Sequence, residues 1–269
     1  MRELGVNLWV KDPAAVPELL DLIAGAGFDL TFPTVRTGAP LGQWRREAEK
    51  RGLRMESVHF PFGKMNDLWL AEEAGAAFLA ELKDLVDLSV SQGMRLAVVH
   101  TSIHTPPVPV TDLGKGRFAE LCDYAEKRRL HLAFENLEPQ QTLAAVLDGA
   151  SPFHGFCWDS GHNACYTPQE DVTGRFGDRL MFVHLNDNRG VSRPGEIHFR
   201  DDLHLIPGDG ILDWDWVTEK LRGMPAVPVT LELKAPAGAE AVSPPDRSVL
   251  RPFFERAFRV ASSLRDKIG

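Results

Sequence analysis

The segment RLMFVHLNDNRG (residues 179–190) runs from a short apolar stretch, Leu180, Met181, Phe182 and Val183, straight into His184, Asn186, Asp187, Asn188 and Arg189. An apolar run of that length reads as a buried strand, so the change at His184 asks what the strand delivers at its end. The same grammar recurs along the chain. Strand candidates are LGVNLW (4–9), FDLTFP (28–33), LRMESVHF (53–60), MRLAVVH (94–100), LHLAFEN (130–136), HGFCWD (154–159), LMFVHL (180–185) and VPVTLEL (227–233). Between and after them lie amphipathic patterns that read as helices: AAVPELLDLIAGAG, LGQWRREAEKRG, LWLAEEAGAAFLAELKDLVDLSVSQG, GKGRFAELCDYAEKRR, QTLAAVLDG, PQEDVTGRFGD, DWDWVTEKLRG and DRSVLRPFFERAFRVASSLRDK. Gly27, Gly52, Gly93 and Gly149 stand where helix C-caps are expected. Eight strands, each followed by a helix, define an α/β chain and predict a (β/α)8 TIM barrel, with residues 1–269 as a single domain. A doubly wound open sheet is the alternative topology.

Composition narrows the function classes. With 43% hydrophobic and 25% charged residues, the 269-residue chain has the profile of a soluble globular protein. Its formal net charge of −8 disfavours non-specific attraction to nucleic acid or to an anionic membrane. The opening MRELGVNLWVKDP lacks the apolar core of a secretory signal, and no run approaches the roughly 18 apolar residues of a membrane span, so a cytoplasmic location is expected. Cys122, Cys157 and Cys165 form no CxxC pair and are odd in number, which argues against a disulfide framework and for buried thiols.

In a barrel, chemistry is carried at the C-terminal ends of the strands. Read at those positions only, six consecutive strands end in His59, His100, Glu135, Asp159, His184 and Glu232. Ionisable groups at the ends of apolar strands are unfavourable unless paired or bound to a cation. A lone histidine there is ordinarily a hydrogen-bonded structural residue, and a lone acid an N-cap; neither accounts for six in succession on one face. His162, three residues after Asp159, and Asp202 and His204 after the seventh strand extend the set. Mixed imidazole and carboxylate donors suit zinc, manganese or iron rather than calcium or magnesium.

Other positions carry weaker expectations. Trp9, Phe60, Phe62 and Trp69 are candidates for stacking on a sugar ring, with packing as the competing reading. Arg189, Arg193 and Arg200 are candidates to hold a phosphate or hydroxyl, with a solvated loop as the alternative. Lys234, two residues beyond Glu232, is read as a solvated or helix-facing lysine. PGDG (207–210) lacks the Lys-Ser or Lys-Thr of a phosphate loop and reads as a turn. The Pro-rich HTPPVPVTD and KAPAGAEAVSPPD, and the long RGVSRPGEIHFRDD, fall after strands four, eight and seven, where barrels carry functional loops.

AFENL, CWDSGH, VHLNDNRG, DDLHLIPGDGILDW and TLELK, taken in order, resemble the strand-end motifs of the xylose isomerase-like TIM-barrel superfamily, in particular its sugar phosphate isomerase/epimerase group. The resemblance spans roughly residues 55 to 235. It implies one divalent metal, manganese or zinc, held by Glu135, Asp159, His184 and Glu232, with Glu135 and Glu232 exchanging a proton through a metal-stabilised enediolate. His162 would then hydrogen-bond a sugar hydroxyl. Endonuclease IV is a more distant relative, a trinuclear zinc enzyme that cleaves abasic DNA, and its larger ligand set falls on these four residues together with His59, His100, His162, Asp202 and His204. Two or three ions are therefore the alternative stoichiometry. The loop pattern, the acidic charge and the absence of a dense basic and aromatic set after strands one and two favour a small sugar or sugar phosphate over nucleic acid. An inosose-type dehydratase, which also begins with proton abstraction, is a further alternative.

Overall fold

Strands enclosed in a parallel barrel have no solvent-facing side, because helices cover the outside and neighbouring side chains fill the inside. That is why the strand segments read as continuous apolar runs rather than as alternations. The structure, a computed structural model, describes residues 1–103, 108–137, 140–168, 170–193, 196–236, 239 and 244–269. Residues 104–107, 237, 238 and 240–243 of the two Pro-rich loops, and residues 194 and 195 of the long one, lie outside that description.

The strands are β1 (Leu4–Leu8), β2 (Leu30–Pro33), β3 (Ser57–His59), β4 (Leu96–His100), β5 (His131–Glu135), β6 (Gly155–Asp159), β7 (Leu180–His184) and β8 (Val229–Leu231). All laddered pairs are parallel: β1 lies between β2 and β8, and β3 to β7 follow in chain order. Parallel bridges between Thr34 and His59 and between Leu185 and Leu231 join the two groups and close the barrel. An open sheet is thereby excluded.

Two apolar layers result from strand alternation. Phe32, Val98, Ala133, Cys157 and Phe182 form a cluster of their own inside the barrel, with Phe32 and Phe182 packed edge to face at 5.3 Å. Leu132, Phe134, Phe156, Trp158 and Val183 point outward into the larger core beneath the helices. Two residues beyond each member of the inner layer stand Thr34, His100, Glu135, Asp159 and His184. The period of two therefore lifts the same inward-facing rows from an apolar floor to a polar rim.

The helices are α1 (Val16–Ala26), α2 (Leu41–Glu49), α3 (Glu73–Ser91), α4 (Asp112–Lys127), α5 (Gln140–Gly149), α6 (Ser160–Tyr166), α7 (Val172–Phe176), α8 (Trp214–Arg222) and α9 (Arg247–Ile268). Gly27, Gly52 and Gly93 take the left-handed conformation expected of C-caps, whereas Gly149 remains helical and Arg129 at φ 61° turns the chain after α4. Some elements differ from the sequence reading. The strands β3 and β8 are shorter than their apolar runs, because their flanks are held by single bridges or by side chains instead of ladders. The long third helix starts only at Glu73, after a 3-10 turn over Met65–Trp69 that buries the Trp69 indole with its N–H on Thr101 O at 2.7 Å. α6 was not legible as a helix, since Ser160-Gly161 reads as a loop; Asp159 starts it by accepting the His162 N–H at 2.6 Å.

At Gly155 in β6, a Cβ atom would lie 2.3 Å from the Arg179 carbonyl oxygen. Gly155→Ala is expected to cost about 1–3 kcal/mol by forcing backbone against backbone. Urea unfolding should show a lower midpoint at unchanged slope; an unchanged midpoint would contradict the packing described.

Candidate metal centre and active site

Six strands bring their last residues to one rim: His59 from β3, His100 from β4, Glu135 from β5, Asp159 from β6, His184 from β7 and Glu232 directly after β8. His162 comes from the first turn of α6, and Asp202 and His204 from the β7–α8 loop, where His204 adopts a left-handed φ of 46°.

Glu135 is the common point. It has no exposed surface, and its Oε2 lies 3.1 Å from His59 Nε2 and 3.0 Å from His100 Nε2. Its Oε1 lies 2.8 Å from His184 Nδ1 and 3.5 Å from His162 Nδ1. His184 Nδ1 is also 3.1 Å from Glu232 Oε2. On the loop side, Asp202 Oδ2 is 2.9 Å from His204 Nε2 and 3.7 Å from His162 Nε2. Three ligand groups emerge, each with donor atoms within 4.8 Å of one another: His59, Glu135 and His184; Glu135, Asp159, His184 and Glu232; and His162, Asp202 and His204.

The donor set fits a divalent transition metal on three counts. Its spacings match a coordination shell, since tetrahedral ligands about 2.1 Å from an ion sit about 3.4 Å apart. Asp202 Oδ1 is buried without a hydrogen-bond partner. Most tellingly, three histidines direct Nδ1 at a backbone carbonyl: His59 at Phe60 O (2.7 Å), His162 at Asn136 O (3.1 Å) and His204 at Glu232 O (3.0 Å). A carbonyl only accepts, so Nδ1 carries the proton and Nε2 is left facing an acid. That Nε2 must bear a second proton or meet a cation, and a carbonyl-anchored imidazole is the usual outer partner arrangement of a metal ligand.

Without a cation, protons take over the compensation. Burial opposes the charge on His162, His184 and His204, yet their neighbours outweigh it, Cys157 with Glu232 and Glu135 at His184 and carboxylates at the other two, and hold the first two well above their ordinary values and His204 at about 9. Burial would likewise raise Glu135, but His184 and His100 keep it well below the usual carboxylate range, and Glu232 falls to about 2 beside His184. His100, in contrast, is pushed down by burial. Asp159 is pushed up to about 6, chiefly by burial.

The rest of RLMFVHLNDNRG holds this cluster in place. Asn186 donates from Nδ2 to Asp159 Oδ2 at 2.8 Å. Asp187 accepts from the Gly208 and Leu212 N–H groups and from the Trp214 indole at 2.8, 3.2 and 2.9 Å, tying the loop that carries Asp202 and His204. Asn188 Oδ1 accepts from Leu203 N at 2.7 Å. Asn136, also unanticipated, brackets Asp159 with bonds of 2.7 and 2.9 Å to its N–H and C=O.

A cavity of about 480 Å³ opens above the cluster, walled by aromatic and aliphatic side chains including Trp9, Phe62, Tyr166 and Phe199. Glu232 lines it, whereas Glu135 lies below. Trp9 faces the cavity with its indole N–H on Leu233 O at 2.7 Å, and Phe62 stacks on His100 at 4.7 Å. Five expected contact residues, Phe60, Trp69, Arg189, Arg193 and Arg200, do not line it. Phe60 is wholly buried in the helix-side core, because alternation turns it away from His59. Arg189 is exposed and does not line the cavity, since the Asp187 knot directs the chain outward. Lys234, expected to be solvated or helix-facing, does line it, on the same side as Glu232 two residues before it.

Among proteins of known sequence, the chain is similar to the uncharacterized protein y4fM of Sinorhizobium fredii (strain NBRC 101917 / NGR234), at 29% identity over 93% of this chain and 88% of that protein. Among solved structures it resembles a xylose isomerase-like TIM barrel/4-hydroxyphenylpyruvate dioxygenase fusion protein (TM-score 0.78, 20% identity, 99% of this chain), of whose length it spans 43%. It also resembles the D-allulose 3-epimerase from Methylomonas sp. (TM-score 0.75, 17% identity, 99% and 98% of the two chains). Among the described residues, no helix is long and apolar enough to cross a membrane. Residues 20–253 match the xylose isomerase-like TIM barrel family, and the chain, a closed eight-stranded barrel, belongs to that family.

Proposed function

We propose that the protein is a divalent-metal-dependent isomerase or epimerase of a small sugar or sugar phosphate. The observation that carries this reading is the pair of glutamates: Glu135 from β5 and Glu232 after β8 converge on one nitrogen, His184 Nδ1, at 2.8 and 3.1 Å beneath a cavity of about 480 Å³. That volume suits a small molecule, and full-length resemblance to a solved D-allulose 3-epimerase supports the same class.

Glu135, Asp159, His184 and Glu232 would hold the metal, which when bound supplies Lewis-acid stabilisation of negative charge on adjacent substrate oxygens. Glu232 borders the cavity and, held ionised, is placed to take a proton from a substrate carbon next to a carbonyl. Inversion from the other side falls to Glu135, enclosed below, which must enter that step carrying a proton of its own while Glu232 is ionised. Asn136 and Asn186 keep Asp159 fixed while the proton moves. Trp9, Phe62 and Phe199 exclude water and give the sugar's apolar faces a surface to stack on.

A second reading, phosphodiester hydrolysis, draws on the additional ligand group His162, Asp202 and His204, which gives room for more than one ion. Elemental analysis of protein purified without chelator or added metal tests both: about one ion per chain supports the isomerase reading, two or three together with cleavage of an abasic duplex supports the second.

Incubation with a panel of ketoses and ketose phosphates in heavy water should give carbon-bound deuterium in substrate or product. Glu232→Gln and Glu135→Gln should each lower this exchange by roughly 10²–10⁴-fold with far-UV circular dichroism unchanged; near-native exchange in either variant would refute the two-glutamate scheme. Metal binding should also expel protons, because a cation displaces the one on His184 and offsets the carboxylate charge that holds those on His162 and His204. Affinity for zinc therefore rises with pH through neutrality towards the His204 value of about 9. Calorimetry in buffers of different ionisation enthalpy reads the released protons, and affinity that is flat from pH 6 to 9 would contradict the ligand assignment.

A further inference from the structure

We infer that Cys157, in the apolar floor of the barrel, is a positioning residue: its sulfur accepts the Nε2–H of His184 and so fixes the tautomer in which His184 offers the Nδ1 lone pair to a metal ion. The inference rests on the reading of His184 as a metal ligand and deepens it by naming the group that holds the far side of the ring.

His184 is turned the other way from its neighbours. His59, His162 and His204 anchor Nδ1 on a backbone carbonyl and present Nε2 to the acids. His184 instead presents Nδ1, 2.8 Å from Glu135 Oε1 and 3.1 Å from Glu232 Oε2. Its Nε2 is buried and meets no oxygen or nitrogen partner. A neutral imidazole carries one ring proton, so Nδ1 is free to bind a cation only when that proton stands on Nε2. A buried N–H without an acceptor is unfavourable, and no backbone carbonyl serves this one.

The floor supplies the substitute. Cys157 has no exposed surface and belongs to the inner layer with Phe32, Val98, Ala133 and Phe182. Its register partners are Glu135 on β5 and Phe182 on β7, which sets its side chain one inward position below Asp159 and beside the residue beneath His184. Phe32 stacks on the His184 ring at 5.1 Å, and Phe182 meets it edge-on at 5.5 Å. Those side chains, like Val98 and Ala133, are hydrocarbon. Of the five in this layer, Cys157 alone carries an atom able to accept a hydrogen bond, and its thiol stands within bonding reach of the imidazole. The aromatic rings fix the plane of His184 and the sulfur fixes its proton, which is what the outer partner of a histidine ligand does.

The test compares wild type with Cys157→Ala, Cys157→Ser and Val98→Ala, the last deleting carbon from the same layer without removing an acceptor. Zinc affinity is read by competition with a chromophoric chelator, and ligand geometry from the visible spectrum of the cobalt-loaded protein; neither needs a substrate. Cys157→Ala should weaken zinc binding by roughly ten-fold or more and shift the cobalt bands. Cys157→Ser, whose hydroxyl also accepts, should recover most of the affinity, and Val98→Ala should bind zinc like wild type while unfolding at lower urea. Histidine-labelled NMR of the zinc-loaded wild type should place the His184 proton on Nε2, a readout that stands even if Cys157→Ala does not fold. A His184 proton on Nδ1 overturns the inference. So does zinc affinity in Cys157→Ala equal to wild type, or a loss in Val98→Ala as large as in Cys157→Ala. Wild type that binds no zinc or cobalt overturns the metal reading itself, and the inference with it; wild-type binding untouched by Cys157→Ala overturns the inference alone.

Discussion

A carboxylate with no exposed surface, Glu135, stands at the end of β5 with imidazole nitrogens of His59, His100 and His184 at 3.1, 3.0 and 2.8 Å. Burying an ion is tolerable only when opposite charge is brought close and its lone pairs are satisfied. No strand can meet that demand alone, because neighbouring residues of one strand face opposite sides. The solution recruits β3, β4 and β7 at one level, and this is possible only in a sheet that closes on itself. The barrel's register and the charge balance of Glu135 are two statements of one constraint.

Much of this was readable from residues, for a definite reason. His100, Glu135, Asp159 and His184 each follow an inward apolar residue by two positions, so their appearance at strand ends is a pattern in the sequence itself. The positions that escaped are those whose direction is set after the ladder ends. Lys234 was expected to be solvated or helix-facing, yet past the end of β8 the Asn7 and Trp9 bonds to Leu233 hold the chain so that Lys234 lies on the cavity side with Glu232. Phe60 was credited to the mouth although it follows His59 by one residue and so faces the helices. Asn136, Asn186 and Asp187 act by long-range hydrogen bonds to Asp159 and to the loop at 205–214, and nothing in local composition announces such partners.

Support for the cluster is layered. Directly beneath His184, the ring of Phe32 stacks at 5.1 Å and 8° between planes, fixing the imidazole from the apolar side. Laterally, Asn186 and Asn136 leave Asp159 little freedom. From above, Asp187 gathers three donors from the loop that carries Asp202 and His204. Ligands locked by packing below and hydrogen bonds around them lose little entropy on binding an ion, which is the physical content of a preorganised site.

The anchoring of His59, His162 and His204 through Nδ1 on backbone carbonyls gives the site its sense. Each anchor fixes which nitrogen points inward, so the three Nε2 atoms present the same face to the acids whatever occupies the space between. Protons and cations compete for that space, and the carboxylates favour either over an empty cluster.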